Sequence, residues 1–171
     1  EQHDQIKTEL LSLINSSSSE SVLDPACETN ISKTDWKSAQ QLNRPWAKFF
    51  IEYFTNPILE MYKELGYDGY TLHDLWFQQY DYNSGHGWHT HSANFTNVYY
   101  LDLPEGSPKT KLVSPYDQQT VIEVEVSEGD MLVFPSFVIH KGPANTGELK
   151  KRIKSYNINA TYSNKIYAQG I

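Results

Sequence analysis

The second half of the chain is a succession of short apolar segments separated by strings rich in Gly, Pro, Asn and Asp. Their alternation is cleanest where Ile122, Val124 and Val126 are expected to face inward while Glu123 and Glu125 face outward. A period of two residues is typical of strands, so these segments predict antiparallel β-structure. The predicted strands are residues 75–82, 95–103, 111–114, 121–126, 131–134, 138–141 and 153–162.

Helical spacing precedes these strands. Residues 4–14 carry apolar side chains at mostly helical spacing and end in a run of serines, which predicts a helix followed by a loop. Residues 36–66 are helical again, with Asn56 as an N-cap, Pro57 at the first helical position and Gly66 as the C-terminal stop. Helices followed by about seven or eight strands predict a mainly β fold, a jelly-roll sandwich with helices on one outer face.

The length of 171 residues favours one domain over 1–171, in which residues 1–70 give helical support to a β core at 71–171. A net charge of −7 makes nucleic acid an unexpected partner. No apolar run approaches the roughly 20 residues of a membrane helix. The polar first residues and the single cysteine, Cys27, fit a protein of the reducing cytoplasm.

Half of the six histidines lie in the string HGWHTH at residues 86–91. In a strand, His89 and His91 share one face, where two imidazoles can grip one metal ion. A third candidate ligand, His140, follows a tight turn and an apolar run, and several short strands could bring it back beside the pair. The alternative is that such a pair is only the polar face of a strand.

The ligand types narrow the chemistry of such a site. Imidazole suits zinc, copper, iron and nickel, and a pair with one distant ligand leaves positions open, as in a catalytic mononuclear centre. The lone Cys27 argues against a thiolate zinc cage.

With these strings in view, the chain resembles the iron(II)- and 2-oxoglutarate-dependent oxygenases of the double-stranded β-helix type. It is most similar to small oxygenases of marine viruses and bacteria, related to prolyl hydroxylases. The strings that carry the resemblance are WFQQY at 76–80, WHTH at 88–91, VYYL at 98–101, GDMLVFPS at 129–136 with His140, and RIKSYN at 152–157.

The resemblance implies a metal site and a cosubstrate site. Fe(II) would be held by His89, His91 and His140, although His91 stands where the family usually has Asp. Arg152 is the best match for the basic residue that pairs with the distal carboxylate of 2-oxoglutarate, as a guanidinium fits a carboxylate bidentately. Strand alternation could instead turn Lys151 inward.

The resemblance also assigns two tyrosines to the cosubstrate. Tyr100 matches the family's tyrosine against the same carboxylate and Tyr80 a further one upstream, although either could be core packing. His86 and Trp88 could line the substrate entrance or serve as structural filler.

An enzyme of this kind couples decarboxylation of 2-oxoglutarate to hydroxylation of a C–H bond, and nothing in the sequence names its substrate. A cupin-type metalloprotein with three histidines is an alternative, but Phe95 and Thr96 stand where a cupin usually has Glu. The other alternative is a non-enzymatic jelly-roll binding or virion component with incidental histidines.

Overall fold

Two helices precede most of the strands in the computed structural model, which describes residues 2–24 and 29–162. The helices are α1 (Gln2–Asn15) and α2 (Pro45–Glu64), with a short 3₁₀ helix at Trp36–Ser38 between them. The strands are β1 (Glu20–Asp24), β2 (Thr29–Thr34), β3 (Gly69–Tyr80), β4 (His86–His89), β5 (Phe95–Asp102), β6 (Lys111–Val113), β7 (Val121–Glu123), β8 (Met131–Pro135), β9 (His140–Gly142) and β10 (Lys151–Thr161).

The strands form two antiparallel sheets. The larger sheet has the order β1-β2-β3-β10-β5-β8, and the smaller has the order β4-β9-β6-β7. Strand β10, near the end of the described chain, lies between β3 and β5 and pairs with both over most of its length. The prediction of a mainly β protein with N-terminal helices is confirmed.

Alternation along the central strands separates two apolar cores. On β5, Tyr99 and Leu101 pack with α1 and α2, whereas Val98 and Tyr100 pack between the two sheets. The larger sheet is therefore the middle layer, with helices on one face and the smaller sheet on the other. The space between the two sheets contains this second apolar core and also buried polar side chains such as Gln78, Thr96 and Ser155.

The first 70 residues are less helical than predicted. Strands β1 and β2 pair with each other, and β2 pairs with β3 through Lys33 and Thr34. These strands are rich in Ser, Thr, Asn and Lys, so their sequences show no clear alternation of apolar and polar residues. They are stabilised by the burial of Ile31 and by pairing with strands distant in sequence. The region predicted as helical support therefore contains two strands as well as two helices.

Helix α2 begins earlier than the proline pattern suggested. Pro45 occupies its first turn, and Pro57 lies inside the helix, so the prediction of a start at Asn56 and Pro57 is wrong. An internal proline gives up one helical hydrogen bond, and the apolar face that α2 buries offsets this loss. The predicted stop is confirmed, because Gly66 has a φ of 90° in the left-handed region.

The strand with the cleanest alternation is only partly buried. Ile122 lies in β7 at the edge of the smaller sheet. It pairs with Leu112, which pairs in turn with the inward-facing His140, so Ile122 shares their inner face as predicted, but its edge position leaves it 45% exposed. Val126, farther along, is buried as predicted. An edge strand has a neighbouring strand on one side only, so the alternation of its residues alone overstates its burial.

Cys27 lies outside the described residues. None of the helices in the described part of the chain is long and apolar enough to cross a membrane.

Candidate metal centre

Three histidines from two strands and a connecting bend converge between the sheets. His89 ends β4 and pairs in register with His140, which begins β9. His91 lies two residues beyond β4, where its backbone N–H donates to Ser136 O at 3.0 Å. One ring nitrogen from each of the three lies within 4.8 Å of the others. The predicted metal ligands are thus together, although His91 reaches the cluster from a bend and not from the strand itself.

Main-chain carbonyls orient two of these rings. The Nδ1 of His89 lies 2.7 Å from Gly87 O, and the Nδ1 of His140 lies 2.9 Å from Val138 O. A carbonyl oxygen only accepts, so each Nδ1 carries the proton and each Nε2 keeps its lone pair. This is the outer support usual for metal-binding histidines.

Burial keeps the cluster neutral. Burial first, and then the neighbouring imidazoles, lower the pKa of His140 to about 3 and that of His91 to about 4. Burial also lowers the pKa of His89. Neutral imidazole is the form that coordinates a metal, so the rings are ready to bind at physiological pH.

A fourth histidine, His86, stacks on His89 with ring centroids 3.8 Å apart. Its Nδ1 accepts a hydrogen bond from Gln78 Nε2 at 3.2 Å, which leaves its proton on Nε2, 3.7 Å from Asp24 Oδ2. The same carboxylate oxygen accepts the Gly87 N–H at 2.7 Å. Burial first, and then His89, lower the pKa of His86 to about 3.

Asp24 places a carboxylate beside the cluster that the H-x-H pair itself lacks. Sequence reasoning missed it because β1 was not predicted, and no local signal links it to residues more than 60 positions away. Gln78 was also missed as a polar support. Its Oε1 accepts a hydrogen bond from Ser155 Oγ at 3.3 Å, and both residues line the same cavity as the histidines.

The two basic residues at the start of β10 point to opposite faces. Arg152 lies on the helix side, where Nε donates to Gln79 Oε1 at 2.9 Å and Nη1 to Asp102 Oδ2 at 2.5 Å. Lys151 is fully buried on the inner side, and its Nζ donates to Pro108 O at 2.6 Å. Strand alternation thus places Lys151 on the inner side of the sheet, and Arg152, the preferred match for the cosubstrate, on the helix side.

Of the two tyrosines that the resemblance singled out, Tyr80 lies beside Lys151 and Tyr100 contacts a residue of the cavity wall. The Lys151 ammonium lies 5.4 Å from the Tyr80 ring centroid, and Tyr80 lines the histidine cavity. Tyr100 is fully buried and donates to Thr110 Oγ1 at 2.6 Å, which brings it to the wall of that cavity. Burial lowers the pKa of Lys151 to about 8, so its ammonium gains from an anionic partner.

Trp88 is separated from the site. It alternates with His89 on β4, and Lys141 Nζ lies 4.6 Å from its ring on the outer face of the smaller sheet. Of the two residues predicted for the entrance, His86 lines the cavity and Trp88 does not. The cation–π contact identifies Trp88 as part of the outer surface.

The cavity at the cluster shares one wall with a larger groove. The cavity at the histidines has a volume of about 20 Å³. Trp76 forms part of its wall and also of a groove of about 460 Å³ beside the 3₁₀ helix.

No family model and no curated protein sequence matches the chain. Solved structures do. One is a 2OG-Fe(II) oxygenase family member from Burkholderia pseudomallei, with a TM-score of 0.69, 12% identity and coverage of 90% of this chain and 80% of the other. Another is a Pseudomonas putida prolyl-4-hydroxylase, with a TM-score of 0.62, 11% identity and coverage of 95% and 88%. A third is the viral collagen prolyl hydroxylase of Paramecium Bursaria Chlorella virus-1, with a TM-score of 0.54, 16% identity and coverage of 92% of this chain and 91% of the other.

These comparisons show that the chain shares its mainly β fold with 2OG-Fe(II) oxygenases, as the sequence strings implied. At such low identity the likeness concerns the fold, and the roles of individual residues rest on the geometry of the cluster.

Proposed function

We propose that the chain is a non-haem metal-dependent oxygenase that couples decarboxylation of 2-oxoglutarate to hydroxylation of its substrate. The observation that carries the proposal is the cluster of His89, His91 and His140, with ligand atoms within 4.8 Å of one another. It lies inside a fold shared with 2OG-Fe(II) oxygenases. Three neutral imidazoles from two distant parts of the chain meet at one buried point, which an incidental placement of histidines does not explain.

We also infer that the two sheets form a double-stranded β-helix, or jelly roll, within one domain over residues 1–171. All pairings between described strands are antiparallel, and the smaller sheet closes over the inner face of the larger one through a shared apolar core. The matched structures overlap at least 90% of the chain, which supports one structural unit.

The donor set fits Fe(II). Three imidazole nitrogens leave coordination positions open, as a centre needs if it is to bind a cosubstrate. Iron held there would supply the redox chemistry, and the chain supplies binding and orientation. Gly87 and Val138 carbonyls fix two rings, while Gln78 and Asp24 hold His86 against the edge of the site.

Lys151 is the residue that we assign to the distal carboxylate of 2-oxoglutarate. Its buried ammonium now donates to the Pro108 carbonyl, and a carboxylate is a stronger acceptor for a charged donor. Because the cavity is narrow, cosubstrate binding requires Lys151 to exchange this carbonyl for the carboxylate. Tyr80 and the pair of Tyr100 and Thr110 border the space into which the ammonium would turn.

The donor set alone also fits a three-histidine metalloprotein of the cupin type, which would not need 2-oxoglutarate. The buried Lys151 favours the oxygenase, because a buried ammonium is stabilised by an anionic partner. The cosubstrate 2-oxoglutarate would supply such a partner, whereas a cupin-type metal centre would not. A non-enzymatic binding component would need neither metal nor cosubstrate.

The direct test is succinate formation. Protein purified without a histidine tag is loaded with Fe(II) in the absence of oxygen, mixed with 2-oxoglutarate and exposed to air. Stoichiometric metal and catalytic succinate are expected, and His89→Ala should lose both. A protein that binds metal at His89 yet neither binds nor decarboxylates 2-oxoglutarate would be a cupin-type protein.

A further inference from the structure

A polar groove adjoins the metal cavity and gives information about the substrate. It has a volume of about 460 Å³, in the range of small-molecule sites, and lies between the 3₁₀ helix and the inner faces of β3 and β10. Its walls carry two indoles, three side-chain amides, one carboxylate and one ammonium. These belong to Trp36, Trp76, Gln40, Gln41, Asn157, Asp74 and Lys37.

The groove and the metal cavity share a wall. Trp76 lines both spaces, and its ring centroid lies 5.6 Å from that of His91. Thr96, which lines the metal cavity, donates to Asn157 Oδ1 at 3.3 Å. A ligand in the groove is therefore one side chain away from the proposed metal.

An aromatic platform is held open to solvent in this groove. The rings of Trp36 and Trp76 are nearly parallel, with an interplanar angle of 15° and centroids 6.2 Å apart. Trp76 is buried, whereas Trp36 is 40% exposed and is braced from another side by the edge of His86. A fixed, exposed indole face can stack on the C–H face of a ring without loss of side-chain freedom.

One buried donor in this wall has no acceptor. Trp76 Nε1 makes no hydrogen bond within the described part of the chain, although the residue is only 2% exposed. Buried donors are nearly always satisfied, so this N–H calls for an acceptor that enters one of the two spaces that Trp76 lines. A hydroxyl oxygen is such an acceptor.

Charge in the groove favours a neutral ligand. Asp74 and Lys37 are the single acid and the single base of its described lining, and Lys37 Nζ is already 2.6 Å from Glu20 Oε2. Asp74 Oδ2 accepts a hydrogen bond from Asn157 Nδ2 at 3.3 Å. An anion would meet a carboxylate here, and an apolar ligand would strip water from amides without replacing their hydrogen bonds.

The floor of the groove also disfavours an extended peptide. A peptide commonly adds to a sheet edge through main-chain hydrogen bonds. Here β3 pairs with β10 on one side, through Asp74 and Asn157. On the other side the Leu75 N–H donates to Ala39 O at 3.0 Å and the Phe77 N–H to Asp35 Oδ1 at 3.1 Å. That edge is thus covered by the 3₁₀ segment.

We propose, on the basis of the oxygenase function above, that the groove binds a sugar ring and that the substrate is a neutral polyhydroxylated compound. The ring would stack on Trp36. Its hydroxyls would pair with the amides, with Asp74 and with the Trp76 N–H. The C–H bond to be hydroxylated then belongs to the sugar or to a group attached to it.

Saturation-transfer NMR tests this proposal with Zn(II)-loaded protein and 2-oxoglutarate, so that no turnover consumes the probe. The probes are the methyl glycosides of glucose, galactose and mannose, with acetyl-Gly-Pro-Gly-amide and choline as a peptide and a cation. At least one glycoside should show saturation of its ring protons. Trp36→Ala should weaken its binding by about tenfold or more.

Trp88→Ala is the matched control, because Trp88 is 39% exposed on the outer face of the smaller sheet and should leave glycoside binding unchanged. Asp74→Asn keeps the shape of the groove and should also weaken binding. Binding of 2-oxoglutarate is measured on the same samples. If 2-oxoglutarate binds and no glycoside does, or if the peptide or choline binds instead, the sugar proposal is overturned while the oxygenase proposal stands. If 2-oxoglutarate does not bind, the oxygenase proposal fails.

Discussion

At the scale of single residues, His91 is the side chain that sets this site apart from the usual arrangement of two histidines and one carboxylate. A neutral imidazole in place of a carboxylate leaves the bound metal one unit more positive. That charge favours a dianionic cosubstrate and makes electron donation to oxygen harder. Asp24, 3.7 Å from His86 Nε2, returns one negative charge to the neighbourhood without belonging to the ligand group.

His91→Asp tests what the third imidazole does. If the site has only drifted from the usual triad, the variant keeps or raises succinate production. If the pocket was shaped for three imidazoles, the shorter side chain leaves its oxygen misplaced and lowers both metal affinity and activity. Because His91 packs against His140 with ring centroids 5.1 Å apart, we expect the second outcome. Metal affinity and succinate yield, measured together, separate the two.

Lys151→Ala should weaken 2-oxoglutarate binding by about 2–5 kcal/mol, the cost of leaving a buried carboxylate without its partner. Arg152→Ala is the control one residue away. It should leave cosubstrate affinity unchanged and lower the free energy of unfolding, because Asp102 loses its guanidinium. Calorimetry on the two metal-loaded variants measures the affinity of each for 2-oxoglutarate. The opposite pattern would mean that the orientation of β10 is wrong by one residue.

At the scale of elements, strand β10 carries a second buried lysine on its other face. Lys154 is fully buried, its Nζ has no hydrogen-bond partner within the described chain, and it lies 4.3 Å from the Trp46 ring. Burial holds its pKa well below the usual value, and the carboxylate of Asp35 opposes this shift only in part. The sheet therefore includes an unfavourable group that aromatic contact relieves incompletely.

Lys154→Met is expected to raise the free energy of unfolding at pH 7 by about 1–3 kcal/mol. A lysine whose pKa falls on folding binds fewer protons in the folded protein than in the unfolded chain. Stability of the wild type therefore rises with pH up to about 10.4, and the advantage of the variant should shrink over that range. Urea unfolding at several pH values measures this. Lys141→Met, which removes a lysine from over Trp88 on the outer face, should show no such trend.

The elements also show which parts of the structure are readable from sequence. Long apolar or alternating segments such as β3, β5 and β10 were predictable, because the apolar residues within each segment indicate by themselves that it is a buried strand. Strands β1 and β2 were not, since polar sequences become strands only by pairing with a distant neighbour. For the same reason the spacing of the histidines indicated a metal site, while Asp24 and Gln78 could be found only in the folded chain.

At the scale of the whole molecule, the N-terminal third contributes to the site as well as to the core. Asp24 from β1 and Trp36 from the 3₁₀ helix stand beside His86, and α1 is tied to the sheet by Lys7, which bridges Asp102 and Glu128 at 3.0 and 2.7 Å. In the proposed site the metal would be held by histidines in or next to the smaller sheet, and the cosubstrate by Lys151 of the larger sheet. Catalysis would therefore depend on the two sheets remaining packed.

The central claim is that His89, His91 and His140 hold a metal through which 2-oxoglutarate binds. Calorimetric titration of 2-oxoglutarate into Ni(II)-loaded protein, metal-free protein and His140→Ala treated with Ni(II) tests it most directly, because nickel supports binding without turnover. The account predicts one binding event per chain in the first sample and none in the other two. Equal affinity in all three samples, or no binding to a chain shown to carry one nickel ion, would contradict it.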